Sequence, residues 1–199
     1  QETGLRLFFE AVEAGCRRVC LTSPTGGGKT RTTLEIAKRY LREGKKVVWH
    51  TNRKMLLEQT AEVFEGHGIV AGKRAAGHFP EFHHNFQLAS VQTERARSLN
   101  THKWELHEAD LAIFDEAHLN GGPTCQKLAA AHLAANPRCV QLGLTATPLD
   151  GPVRKIHVYR DNGNQRHILT GTMAKLWADI ATVFTDITPA DFQPLVDII

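Results

Sequence analysis

Three short strings in this chain carry side chains suited to phosphate chemistry. Residues 23–30 read Ser-Pro-Thr-Gly-Gly-Gly-Lys-Thr, which departs only at Ser23 from the phosphate-loop pattern G-x-x-x-x-G-K-[ST]. Amides around Thr25, Gly26, Gly27 and Gly28 would wrap a β-phosphate at a distance that residues without a Cβ permit. Lys29 would then reach the β- and γ-phosphates, and the Thr30 hydroxyl would bind Mg²⁺. Residues 111–118, Leu-Ala-Ile-Phe-Asp-Glu-Ala-His, form an apolar run closed by adjacent carboxylates. Asp115 can hold Mg²⁺, usually through water, and Glu116 can polarise the water that attacks the γ-phosphorus, because phosphoryl transfer is mainly positioning and charge stabilisation. Residues 143–148, Gly-Leu-Thr-Ala-Thr-Pro, place Thr145 and Thr147 at a strand end. Their hydroxyls could bond to the segment ending in His118 and couple the γ-phosphate to other surfaces. Each string has an ordinary rival: a glycine linker, the acidic first turn of a helix, and a plain turn.

The flanking elements decide between these readings. Leu5, Phe8, Phe9 and Val12 recur at helical spacing, Gly15 breaks the pattern, and Val19-Cys20-Leu21 reads as a buried strand that feeds the glycine string. From Thr30 to Glu43 an amphipathic helix follows, with Leu34, Ala37, Tyr40 and Leu41 on one face and Gly44 at its end. A strand before and a helix after make the string a phosphate site, since the helix's first amides and its dipole point at the anion. The alternation continues with strands at 45–51, 86–91, 111–115 and 139–146 and helices at 53–68 and 125–136. Wholly apolar strands alternating with amphipathic helices predict an α/β fold of three layers around a mostly parallel sheet. Both carboxylates then lie at the carboxyl edge, where open α/β sheets bind ligands. Residues 72–85 show no period and read as a surface loop, and beyond Pro148 only 153–161 suggests a strand and 173–184 a helix.

Composition narrows the class without naming the partner. At 199 residues and 42% hydrophobic content the chain supports one buried core, and 24 Lys+Arg against 21 Asp+Glu leave a charge of +3, too small to argue alone for nucleic acid. Cys16, Cys20, Cys125 and Cys139 lack zinc spacing, and with no secretory leader in view they read as reduced, buried thiols of a cytoplasmic protein. His78, His83 and His84 have no accompanying ligand cluster and read as a polar loop. No apolar run reaches the roughly 18 residues a membrane helix needs, so no membrane partner is expected.

In their order and separations, Ser-Pro-Thr-Gly-Gly-Gly-Lys-Thr, Asp-Glu-Ala-His and Leu-Thr-Ala-Thr-Pro resemble motifs I, II and III of the superfamily 2 helicases and translocases, specifically the ATP-binding, RecA-like first lobe of the DEAD/DEAH-box type. In that family Ala or Ser at the first position of motif I is ordinary. Residues 50–60 resemble motif Ia and residues 89–97 the neighbouring Ib/Ic region, loops that contact the sugar-phosphate backbone of one strand. The resemblance therefore assigns Thr51, Asn52, Arg53, Ser90, Gln92 and Thr93 to sequence-independent contacts with DNA or RNA, work that needs donors rather than base-reading forks. It also offers Gln1 as the residue that reads the adenine edge, although the family's Arg-x-Tyr-Gln string is absent.

The resemblance covers residues 1–150 and implies a P-loop ATPase that uses Mg²⁺. Family motors need a second RecA-like lobe carrying the arginine fingers, and residues 151–199 are too few to supply one; they read as the end of the first lobe or a linker. Hydrolysis by this chain alone is accordingly expected to be weak, since an arginine finger is worth about 10³–10⁵ in rate. Two other readings stand beside the motor: a nucleotide-gated clamp that binds nucleic acid without unwinding it, and a P-loop phosphotransferase with a small-molecule acceptor.

Overall fold

The computed structural model describes residues 2–22, 28–117, 123–145, 156–161 and 164–170. Six parallel strands form the central sheet: β1 (Arg18–Thr22), β2 (Val47–Thr51), β3 (Gly72–Arg74), β4 (Phe86–Ser90), β5 (Leu111–Phe114) and β6 (Val140–Thr145), in the order β1-β6-β5-β2-β4-β3. Strands β2, β5 and β6 are buried along their whole length. Their sequences Val-Val-Trp-His-Thr, Leu-Ala-Ile-Phe and Val-Gln-Leu-Gly-Leu-Thr show why: a parallel sheet covered on both faces selects apolar runs rather than alternation.

Helices α1 (Glu2–Glu13), α2 (Lys29–Arg42) and α3 (Lys54–Glu65) are joined by α4 (Val91–Glu94), which runs on into a π-helical turn (Arg95–Asn100), and by α5 (Pro123–Ala135). The β1-α2-β2 and β2-α3-β3 connections cross the sheet in one direction, and β4-β5-β6 returns in the other. Right-handed crossovers therefore put α2 and α3 on one face and α4 with α5 on the opposite one, and the packing of α1 on α2 and of α4 on α5 agrees. The α/β architecture expected from the alternation is the one observed.

Residues 72–85 depart from expectation, because they begin with the short strand β3 at the sheet edge. Gly-Lys-Arg carries no apolar signal, so periodicity cannot find it. Gly72 is required there: a Cβ would collide with the Glu81 carbonyl and the Gln87 side-chain amide. Of the segments after Pro148, 156–161 forms a strand, β7 (Ile156–Asp161), paired antiparallel with β8 (Asn164–Thr170), which the sequence reading had not found. The helix expected at 173–184 lies outside the described residues. None of the four cysteines forms a disulfide; Cys20, Cys125 and Cys139 are buried, whereas Cys16, expected to be buried too, is only half-buried at the turn before β1. Burial pushes the Cys20 thiol up to about 12, so it packs as an inert apolar group. No helix among the described residues is long and apolar enough to cross a membrane.

Beneath the sheet, on the α5 side, two fully buried imidazoles meet: His50 Nε2 and His132 Nε2 lie 2.9 Å apart. One ring must donate and the other accept, so both are neutral. Burial and the mutual repulsion of the pair hold His50 well below its ordinary value, and burial does the same to His132; Arg74 and His107 add to both effects. The unfolded chain takes up these protons near pH 6.5, whereas the folded one resists them. Stability is thus complete above that pH and is lost as pH falls below it, by about 1.4 kcal/mol per unit for each ring. Urea unfolding at pH 7.5 and pH 5.5 should show a loss of about 2–3 kcal/mol from the pair, reduced in His132→Leu.

Candidate functional site

The candidate phosphate site begins at the turn into α2. Gly28 adopts φ 81° and ψ 19°, the left-handed region that glycine enters without strain, and its carbonyl accepts from the Thr32 amide at 2.9 Å. Among the described residues no side chain caps the start of α2, and its first turn carries no acid. The positive end of a helix favours an anion. Thr33 Oγ1 donates to the Lys29 carbonyl at 2.8 Å and braces the same turn.

Opposite it stands the turn after β5. The Asp115 amide donates to the His50 carbonyl at 2.9 Å, and the Glu116 amide donates to Asp115 Oδ1 at 2.9 Å. Glu116 sits at φ 49°, a conformation uncommon for residues with a side chain and one that concentrates at functional sites. Burial pushes the Asp115 carboxyl up, and the Glu116 charge adds to this, while the Glu116 amide, Lys29 and the Trp49 indole hold it down. Burial lowers the Lys29 ammonium, and Glu116 and then Asp115 support its charge. Lys29, Asp115 and Glu116 are thereby one electrostatic cluster on two elements.

Gly28, Lys29, Thr30 and Asp115 line one cleft of about 700 Å³, whose lining also takes in Gln59 and His67 of the α3 region. A carboxylate and a hydroxyl from facing elements form the hard oxygen set that suits Mg²⁺, and the Lys29 charge suits a phosphate bound beside it. The residues present fit that ion. Phe114, the last residue of β5, pairs with Gly143, two residues before Thr145 ends β6. Thr145 is fully buried and in register with Thr22. Gln1, Thr25, Gly26, Gly27, His118 and Thr147 lie outside the described residues.

The second group of predicted residues gathers along the same carboxyl edge, over β2 and β4. Thr51 pairs with Ser90 across these neighbouring strands, and the loops that follow touch where Gln92 Nε2 donates to Asn52 Oδ1 at 3.4 Å. Ser90 caps α4, accepting from the Thr93 amide at 3.5 Å and donating to Gln92 Oε1 at 3.1 Å. Thr51 and Thr93 are buried; the Thr51 hydroxyl accepts from the Arg53 amide at 3.3 Å and shapes the turn that leaves Arg53 exposed. Asn52 and Gln92 share a hollow of about 430 Å³ with Arg95, Asn100 and Thr124. Arg95 Nη1 donates to Thr124 Oγ1 at 2.9 Å and joins this hollow to the start of α5. Sequence reasoning did not single out Arg95, Asn100 and Thr124, which line the same hollow. Arg95 lies inside the 89–97 string and its charge was the available signal, whereas the π-helical turn that presents Asn100 leaves no periodic trace.

Comparison with known proteins bears on this arrangement. Residues 1–150 match the family described as "Type III restriction enzyme, res subunit". Over 129 residues the chain is 28% identical to the type I restriction enzyme EcoKI endonuclease subunit of Escherichia coli (strain K12), a match that spans 59% of this chain and 11% of that protein. Among solved structures it is similar to the Hef helicase domain of Pyrococcus furiosus, with a TM-score of 0.59 and 26% identity over 73% of this chain and 33% of that one. A type ISP restriction-modification enzyme, LlaGI, solved in complex with a DNA substrate mimic, shares the fold at a TM-score of 0.56 and 17% identity, covering 74% of this chain and 17% of LlaGI. The chain thus spans a third or less of each of these relatives.

Proposed function

From the premise that the chain belongs to the type III restriction enzyme res subunit family, and so to the helicase and restriction-enzyme ATPases, we propose that it is the ATP-binding motor lobe of a DEAH-type translocase. The lobe would couple hydrolysis to movement along, or unwinding of, nucleic acid. A restriction-enzyme family favours DNA over RNA as the track. The observation that carries the reading is that the start of α2, with Lys29 against Asp115 and Glu116, shares one sheet edge with the Asn52 and Gln92 loops.

In this reading the α2 amides and Lys29 hold the phosphates, and Thr30 and Asp115 would hold Mg²⁺. The metal, when bound, supplies charge neutralisation on the phosphate oxygens. Glu116 takes the proton of the attacking water, and its backbone strain fixes the direction from which it does so. Thr145, at the end of the strand beside β5, is the proposed coupling residue, with His118 and Thr147 completing that set. Arg53, Asn52 and Gln92 bind the strand through donors, while Thr51, Ser90 and Thr93 shape the turns that present them; Arg95 adds a cation. A second RecA-like lobe would complete the site.

Binding measurements test the assignment. A fluorescent ATP analogue with Mg²⁺ should bind the wild-type chain, and Lys29→Ala should weaken it by about tenfold or more, the loss of a charge-assisted contact to phosphate. Single-stranded DNA should bind with salt-dependent affinity, and Arg95→Ala should reduce the slope of log K against log salt by about 0.7, one phosphate's share. Equal ATP affinity in wild type and Lys29→Ala would sink the reading.

A further inference from the structure

The metal-holding carboxylate has a neighbour that the proposed chemistry does not use. Trp49 lies in the middle of β2 at 1% exposure, its ring edge-on to Phe64 with centroids 5.7 Å apart. Trp49 pairs with Ile113 in the β2–β5 register. Side chains alternate faces, so Ile113 and Asp115 project to the side of the sheet that Trp49 occupies, and Asp115 is the diagonal neighbour, within reach of a long aromatic side chain.

The indole N–H is buried and stops short of full hydrogen-bond geometry, although it lies close enough to the Asp115 carboxylate to favour its charged form. Indole can only donate, and a buried donor without a full hydrogen bond is a cost that the packing against Phe64 does not require. A phenylalanine would fill the same space without it. Asp115 is the acceptor this donor faces: the indole favours the charged form of that carboxylate, whose Oδ1 already accepts from the Glu116 amide. A donor held rigidly by the sheet, a short movement from bonding, suits a carboxylate that changes position when a cation arrives.

We propose that the Trp49 indole N–H is the positioning group for Asp115, closing a hydrogen bond to its carboxylate when Mg²⁺ and nucleotide occupy the cleft. The role rests on the reading of Asp115 as a metal-holding residue. The bond restricts the carboxylate to the orientation in which its remaining lone pairs face the cleft, as donors behind metal-ligating groups generally do.

Trp49→Phe in the whole chain tests this, because it keeps the ring and removes only the donor. Nucleotide affinity measured by calorimetry without metal should stay within about twofold of wild type. The further gain in affinity on adding Mg²⁺ should shrink by about tenfold, the loss of one hydrogen bond to a charged group. The thermal midpoint without ligand should hold or rise, whereas a purely packing role would lower it and leave the Mg²⁺ gain alone. In a ¹⁵N-labelled wild-type sample, the indole resonance missing from Trp49→Phe should move on addition of Mg²⁺ and a non-hydrolysable ATP analogue, and stay put in Asp115→Ala. An unchanged Mg²⁺ gain in Trp49→Phe overturns the proposal. Should the variant not fold, the wild-type resonance, assigned by Trp49→Tyr or by its proximity to Phe64, decides alone, and an unmoved signal is equally fatal. A wild type with no Mg²⁺ gain brings down the reading of Asp115 as well; a normal gain in both proteins brings down only the role of Trp49.

Discussion

Glu116→Gln is expected to lower ATP turnover by about 10²–10⁴-fold, the ordinary contribution of a positioned general base, while ATP affinity stays within a few-fold of wild type. The amide keeps the size and planarity of the carboxylate, so the turn at φ 49° persists and only the proton acceptor is lost. Turnover is best followed under single-turnover conditions with protein in excess, which separate the chemical step from binding and product release.

Lys29→Ala provides the contrast. Glu116 supports the charge of Lys29, yet they would act at different stages, Lys29 on bound phosphate and Glu116 on the incoming water. The lysine variant should fail at binding, and the glutamine variant only at turnover. A clamp gated by nucleotide would keep its nucleic-acid binding in Glu116→Gln and have no cycle to lose. A translocase would bind ATP and DNA together and stall. Nucleic-acid affinity measured with ATP present therefore separates the two: a complex as persistent as the one formed with a non-hydrolysable analogue, where wild type releases, marks the motor.

How much of this was legible in the sequence depended on the range of the interaction. The helix from Lys29 to Arg42 and the strand from Leu111 to Phe114 announce themselves in their own residues, since a buried parallel strand must be apolar and a covering helix must show a period near 3.6. The phosphate-loop glycines and the Asp115-Glu116 pair are likewise local strings. What could not be read is whatever depends on partners distant in the chain. The imidazoles of His50 and His132 meet across 82 residues, and the buried indole of Trp49 acquires meaning only from the register of β2 on β5. Strand β3 was missed because its stability comes from one side chain's long-range bonds and from a close approach at Gly72, neither of which leaves a pattern.

That side chain, Arg74, underlies the second large effect. It is 2% exposed and donates through Nε to Glu94 Oε1 at 2.6 Å and through Nη2 to the Glu105 carbonyl at 2.6 Å. The rings of Phe82 and Trp104 face its guanidinium at 4.9 and 5.4 Å. Glu94 ends α4, so this pair ties the edge strand to the segment that presents Gln92 and Arg95. Arg74→Leu should destabilise the fold by about 3–5 kcal/mol, because it strands a buried carboxylate, and Arg74→Leu with Glu94→Leu should recover most of that loss, since the pair's attraction mainly offsets its own desolvation. The pH dependence gives the sign. Burial already raises the Glu94 carboxyl above its ordinary value, and Arg74 is what restrains it. Without the arginine the folded state would bind this proton more readily still, so the variant's deficit should shrink as pH falls towards 5. The buried histidines push the same way, because Arg74 helps to hold them neutral and its loss eases their protonation. If the single and double variants prove equally unstable, Arg74 serves as packing rather than as a counter-charge. If the double variant is stable yet binds single-stranded DNA poorly, the ion pair's work is to aim the α4 segment at the strand, which shape alone does not do.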